Sequence, residues 1–92
     1  MQKINTLEMW TAMKSVYPDF LCFVRIGEFY ETFGEDAIYT AKTLGFVLTA
    51  RHSPDGEIPM TGFPWHNKER YFNELNRPIK IYNDLTDIIQ VI

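Results

Sequence analysis

RIGEFYETFGED, residues 25–36, is the stretch on which the reading of this chain turns. Its first part alternates glycine, aromatic and carboxylate side chains. Its last part, Gly34-Glu35-Asp36, places acids where the first turn of a helix favours them. If residues 27–33 are extended, Phe29 and Glu31 share one face and Tyr30 takes the other. A large ring two positions from a carboxylate on the same face makes a poor core, because burying the ring drags the charge in with it. The segment therefore predicts an exposed aromatic wedge with an oxygen acceptor beside it. Such a pair suits prying between bases and touching a base edge.

Working outward, residues 20–26 (FLCFVRI) are apolar on both faces except at Arg25, the pattern of a central strand. Asn5-Thr6-Leu7-Glu8 has the form of a helix start, with Asn5 as N-cap and Glu8 three residues on, and Pro18 ends that helix. Downstream, a helix opening at Gly34 carries Ala37, Ile38, Ala41 and Leu44 as its buried stripe, with Lys42 near its end and Gly45 as its stop. Residues 46–50 read as a strand, Ser53-Pro54-Asp55-Gly56 as a turn, and residues 58–61 as the returning strand of a hairpin with a longish loop. Residues 62–66 form a proline-containing corner. Asn67 caps a third helix that turns Tyr71, Phe72 and Leu75 inward, and residues 79–82 make a last strand. The apolar tail, residues 85–92, adds an edge strand or pairs with another copy. The expected fold is α+β: one domain over residues 1–92, a small mixed sheet packed with about three helices.

RIGEFYETFGEDA, then LTAR at 48–51, then IPMTGFPWH at 58–66, resemble the N-terminal mismatch-recognition domain, domain I, of the MutS DNA mismatch repair family. The family pattern runs R-M-G-D-F-Y-E-L-F, L-T-K-R and I-P-M-A-G-[IV]-P-Y-H. The resemblance is strongest over residues 10–82, with three blocks in order and at the right spacing. It implies that Phe29 stacks on a mispaired base from the minor groove and that Glu31 hydrogen-bonds that base. Arg51 matches the arginine of the second block, with Ala50 in place of the basic residue before it; it is a candidate DNA-phosphate contact, the alternative being a solvated hairpin charge. The chain departs from the pattern at residues 82–84 (YND), where the family has Cys-Glu-Gln, and at residues 76–78 (NRP), where the family tends to hold a glycine. MutS proteins continue into connector, clamp and ATPase domains. This sequence has no G-x-x-x-x-G-K-[ST] loop, so no ATP hydrolysis and no cofactor are expected of it.

Composition sets the bounds on function. With 46% hydrophobic and 23% charged residues the chain is an ordinary globular domain, and no apolar run reaches membrane-spanning length. Cys22 is the single cysteine, which precludes an internal disulfide, fits a cytoplasmic setting and reads as a buried small hydrophobe. His52 and His66 have no third ligand at metal spacing, so no zinc site is expected. An acidic cluster could hold magnesium for phosphodiester cleavage, but Glu35 and Asp36 are explained as helix-start acids and no enzyme is expected.

The net charge of −3 opposes autonomous DNA binding, which draws on cations meeting phosphates. Residues 37–80 nonetheless carry six cations against four acids, enough for a modest basic surface. The leading expectation is a module that binds mismatched double-stranded DNA, weakly by itself, with a protein partner or self-association helping. Glu31 would accept from a base N–H or, when protonated, donate to a ring nitrogen. The alternative is a protein-interaction or regulatory module that kept the fold without independent DNA binding.

Overall fold

A computed structural model describes residues 5–83 and 88–91. The chain folds as α1 (Thr6–Val16), β1 (Leu21–Ile26), β2 (Phe29–Phe33), α2 (Gly34–Leu44), β3 (Thr49–Ser53) and β4 (Gly56–Pro64). A 3-10 turn (Trp65–Asn67), α3 (Lys68–Leu75), β5 (Ile79–Asn83) and β6 (Ile88–Val91) follow. The strands form one mixed sheet in the order β3-β4-β2-β1-β5-β6. Among the described residues only β1 and β5 run parallel, and the other neighbouring pairs are antiparallel. The expected α+β architecture is the one observed.

β1 is central because it can be buried on both sides: Leu21, Cys22, Phe23 and Val24 have no exposed surface. Leu21 and Phe23 face the larger core, where they meet Tyr30, Phe63, Phe72, Leu75, Ile79 and Ile81. Phe63 is its hub, with rings of Phe23, Tyr30, Phe46, Tyr71 and Phe72 at tilted or edge-on centroid distances of 4.9–6.1 Å. α2 and α3 close this face, tied together where the Tyr39 hydroxyl donates to the Leu75 carbonyl at 2.8 Å. α1 covers part of the opposite face, with Met13 buried and the Trp10 ring edge-on to Phe33 at 6.1 Å. Its start is as expected, since the Asn5 side chain accepts from the Glu8 N–H.

Several boundaries differ from expectation for identifiable reasons. Phe46, Val47 and Leu48 are not strand. Gly45 ends α2 in the left-handed region at φ 74°, and the Phe46 N–H bonds back to the Ala41 carbonyl. The chain leaves the helix with Phe46 on the core while Val47 is 79% exposed, and β3 begins only at Thr49. The β3–β4 loop is tight, with Ser53 paired to Gly56 across Pro54 and Asp55, not long. β4 runs through the expected corner to Pro64. Ile38 is 49% exposed, and the helix buries Asp36 and Thr40 in its place. Asn67 sits at the start of α3 without a side-chain cap bond, the turn being made by the 3-10 segment before it. In the tail, residues 88–91 form the edge strand antiparallel to β5; residues 84–87 and 92 lie outside the described residues.

Cys22 is a core residue. Burial, with the nearby Asp36 carboxylate, pushes its thiol up to about 11. We expect thiol reagents at pH 7.5 to leave the folded chain unlabelled and to react once denaturant unfolds it; rapid labelling of the native chain would contradict this burial. Because the thiol titrates higher folded than unfolded, its contribution to stability is full below about pH 9 and is lost as pH rises through about 11.

Candidate nucleic-acid interface

The wedge segment is presented by a tight hairpin. Ile26 pairs with Phe29, leaving Gly27 and Glu28 as the turn, and Gly27 adopts φ 59°, the positive value a two-residue connection requires. β2 leaves this turn with the predicted alternation. Tyr30 is buried with Phe63 and Phe72, while Phe29 is 42% exposed on the opposite face and Glu31 is half-buried beside it. Phe29 and Glu31 together line a shallow cleft of about 220 Å³ with Val47, Thr49, Met60, Thr61 and Gly62.

Gly62 is what lets the ring lie where it does. It opposes Glu31 in the β2–β4 ladder, and a Cβ there would meet the Phe29 Cε2 at 2.9 Å and the Tyr30 carbonyl oxygen at 2.2 Å. Phe29 therefore rests over bare backbone, with a bulky residue excluded beneath it. Val47, 79% exposed, lines the cleft with the ring, and Leu48, the next residue, is 43% exposed. Sequence reasoning missed both by assigning them to a strand. The signal was Gly45, whose helix-ending conformation displaces the three residues after it.

Of the three predicted site residues, Phe29 and Glu31 share this cleft, and Arg51 is joined to Glu31 through Thr6. Glu31 Oε1 accepts from the Thr6 hydroxyl at 2.8 Å, and Arg51 Nη1 donates to that same hydroxyl at 3.2 Å. The Arg51 guanidinium also lies over the Phe33 ring, 5.9 Å from its centroid. Thr6, the first residue of α1, is 4% exposed and was not singled out from sequence. Its two partners lie 25 and 45 residues away. No local pattern announces a hydroxyl with that role.

The acidic block at residues 28–36 is not a continuous acidic surface. Asp36 is 1% exposed, its Oδ1 bonded to Lys14 Nζ at 3.0 Å and its Oδ2 accepting from the Cys22 N–H at 3.0 Å. Asp36 does lie in the first turn of α2 as expected, and it is buried there as well. Asp36 is thus matched by Lys14, and Glu31 reaches Arg51 through the Thr6 hydroxyl. Arg25 donates from Nε to the Gly27 carbonyl at 2.9 Å and stacks on Trp65 at 4.9 Å, near the wedge end of the sheet. His52 pairs across the hairpin with Glu57 at 3.3 Å, and His66 is exposed on the 3-10 turn. Among the described residues no three of His, Cys, Asp and Glu come together as a metal site, and no helix is long and apolar enough to cross a membrane.

Comparison with known proteins gives the same direction. The family model described as MutS domain I matches residues 5–81. The chain is 44% identical over 71 residues to the DNA mismatch repair protein MutS of Methanothrix thermoacetophila, covering 75% of this chain and 8% of that protein. It is 44% identical over 78 residues to the MutS protein of Aquifex pyrophilus, covering 82% and 9%. To that of Wolbachia pipientis wMel it is 47% identical over 70 residues, covering 75% and 8%. The chain thus spans under a tenth of the length of these relatives.

Proposed function

The chain belongs to the MutS domain I family, and from that premise we propose that it binds double-stranded DNA at mispaired or distorted sites, with Phe29 as the wedge and Glu31 as the base-edge contact. The observation that carries this reading is the outward Phe29 ring lying over Gly62 with the Glu31 carboxylate two residues away on the same face. Inserting a ring costs a few kcal/mol of unstacking at each base step, less where pairing is already faulty. A wedge therefore enters where the stack is weakest and the duplex bends most cheaply. That difference in cost is the physical source of preference for a mismatch.

Supporting contacts follow from the surroundings. Arg51, joined to Glu31 through Thr6, is the candidate phosphate partner, and Val47 supplies apolar surface against the sugars of a groove. A single small module buries about 600–1,000 Å² on DNA, so this chain by itself binds weakly and with a steep salt dependence. A protein partner, or a second copy pairing along the β6 edge, would add the missing affinity.

The test is a low-salt titration of a mismatched duplex and its fully paired counterpart. The unmodified chain is expected to prefer the mismatch, and Phe29→Ala to bring the two affinities together while leaving thermal stability nearly unchanged. Glu31→Ala is expected to weaken mismatch binding more than homoduplex binding. Equal, salt-insensitive or undetectable affinity for both duplexes, with another protein captured instead, would move the assignment to an interaction module that kept the fold.

A further inference from the structure

The proposed function leaves open what fixes the Glu31 carboxylate, a side chain with free torsions at the lip of an open cleft. The geometry supplies the answer, and we infer that Thr6 is a positioning residue: it locks Glu31 through Oε1, couples it to Arg51, and leaves Oε2 as the atom that meets a base. The inference rests on the DNA-binding reading for its purpose, but its structural content can be tested separately.

Arginine has only donors, so the 3.2 Å contact from Arg51 Nη1 takes a lone pair of the Thr6 hydroxyl. A hydroxyl has one proton, and the Glu31 Oε1 at 2.8 Å is its acceptor. Direction therefore runs one way along the chain, from guanidinium to hydroxyl to carboxylate. Oε1 is committed as an acceptor, and any proton that Glu31 takes up on meeting a base resides on Oε2. The same oxygen serves whether the carboxyl accepts from a base N–H or donates to a ring nitrogen. Thr6 itself does not touch the base, being 4% exposed beneath the α1 start.

The anchor is rigid for a local reason. Thr6 opens α1, and the Asn5 cap holds that first turn by accepting from the Glu8 N–H at 3.2 Å. Its β-branched side chain has few rotamers, and burial selects among them. Arg51 is held in turn over the Phe33 ring. A phosphate drawing on Arg51 would thus act on the same hydroxyl that orients Glu31, joining backbone contact to base contact through one oxygen.

Three variants of the full 92-residue chain test this: Thr6→Val, which keeps the shape and removes the hydroxyl; Thr6→Ser, which keeps the hydroxyl; and Phe29→Ala. Side-chain three-bond couplings of Glu31, read by NMR without DNA, are expected to report one rotamer in the unmodified chain and in Thr6→Ser, and averaged values in Thr6→Val. On DNA, Thr6→Val is expected to lower the mismatch-over-homoduplex affinity ratio about tenfold, the scale of one charge-assisted hydrogen bond, with Thr6→Ser restoring it. A merely structural role would lower the melting temperature and weaken both duplexes equally. Glu31 couplings unchanged in Thr6→Val overturn the inference, as does an unchanged ratio in a chain that itself discriminates. Should the unmodified chain show no mismatch preference, and Phe29→Ala change nothing, the functional reading fails; the couplings then decide the positioning role by themselves.

Discussion

Asp36→Ala is expected to destabilise the domain by about 3–5 kcal/mol, the range seen when one partner of a buried ion pair is removed. The magnitude follows from what the carboxylate joins. Oδ1 meets the Lys14 ammonium, which is only 12% exposed on its side chain and also donates to the Phe20 carbonyl at 2.7 Å. Oδ2 takes the Cys22 N–H. That amide needs a partner because β2 stops pairing with β1 at Glu31, opposite Val24, and turns into α2. The same gap is filled on the acceptor side by the Thr32 hydroxyl, which donates to the Cys22 carbonyl at 2.8 Å. Side chains at the β2–α2 junction thus complete the central strand where its neighbour has left. Alanine at 36 leaves a buried amide with no partner and a mostly buried ammonium with only the Phe20 carbonyl.

A domain of this size holds on the order of 5–10 kcal/mol in all, so such a loss consumes much of its margin. The check is thermal or urea unfolding of Asp36→Ala beside the double variant Lys14→Met/Asp36→Leu. Replacing both charges with apolar groups of similar size removes the uncompensated ammonium charge but not the unpaired amide. The double variant should therefore regain part of the loss and not all of it. A melting temperature for Asp36→Ala within about 3 °C of the unmodified chain would contradict this account, since each kcal/mol moves a domain of this length by roughly 4–8 °C.

Asp36 also marks the limit of what could be read from the sequence. An acid two residues into a helix already has a sufficient local explanation, and nothing nearby hints at Lys14, which lies 22 residues upstream on another helix. The outward placement of Phe29 and Glu31 was legible because strand alternation is local and Gly27 fixes the turn from which the count begins. Their partner Thr6 was not, because its contacts depend on how α1 crosses the sheet. The helix core stripe failed at Ile38 for a related reason: periodicity predicts that one side is buried but not which side the tertiary contacts select, and Thr40 with Asp36 won the place. β4 was cut short at Gly62 because glycine between two prolines reads as a corner. In the fold Pro59 stands just beyond the end of β2, whose last pair is Phe33 with Met60, and Pro64 is the strand's last residue. Neither removes a donor from the shared middle of the strand, so β4 continues.

That continuation makes Gly62→Ala the most informative single substitution at the site. Intrinsic preference favours it, since alanine in place of a strand glycine ordinarily stabilises by about 0.4–1 kcal/mol through the unfolded chain. The expected result here has the opposite sign, a loss of about 3 kcal/mol or more, at the upper end of what overpacking does. The added methyl would fall 2.2 Å from the Tyr30 carbonyl oxygen, closer than any real contact, and backbone of a central strand has little room to yield. Opening the β2–β4 ladder there would also release Phe29 and Glu31 from their shared face, since Glu31 is the residue that pairs with Gly62. Mismatch preference should vanish along with stability.

Two crowding sources can be separated by adding Phe29→Ala to Gly62→Ala. Truncating the ring removes the 2.9 Å contact with Cε2 but leaves the carbonyl contact in place. If backbone crowding governs, the double variant stays nearly as unstable as Gly62→Ala. If the ring governs, it recovers most of the loss. Urea unfolding of the two single variants and the double variant distinguishes these outcomes. A Gly62→Ala chain as stable as the unmodified one would mean that β2 and β4 stand far enough apart to admit a methyl, and with that the seating of the Phe29 ring over bare backbone would fall.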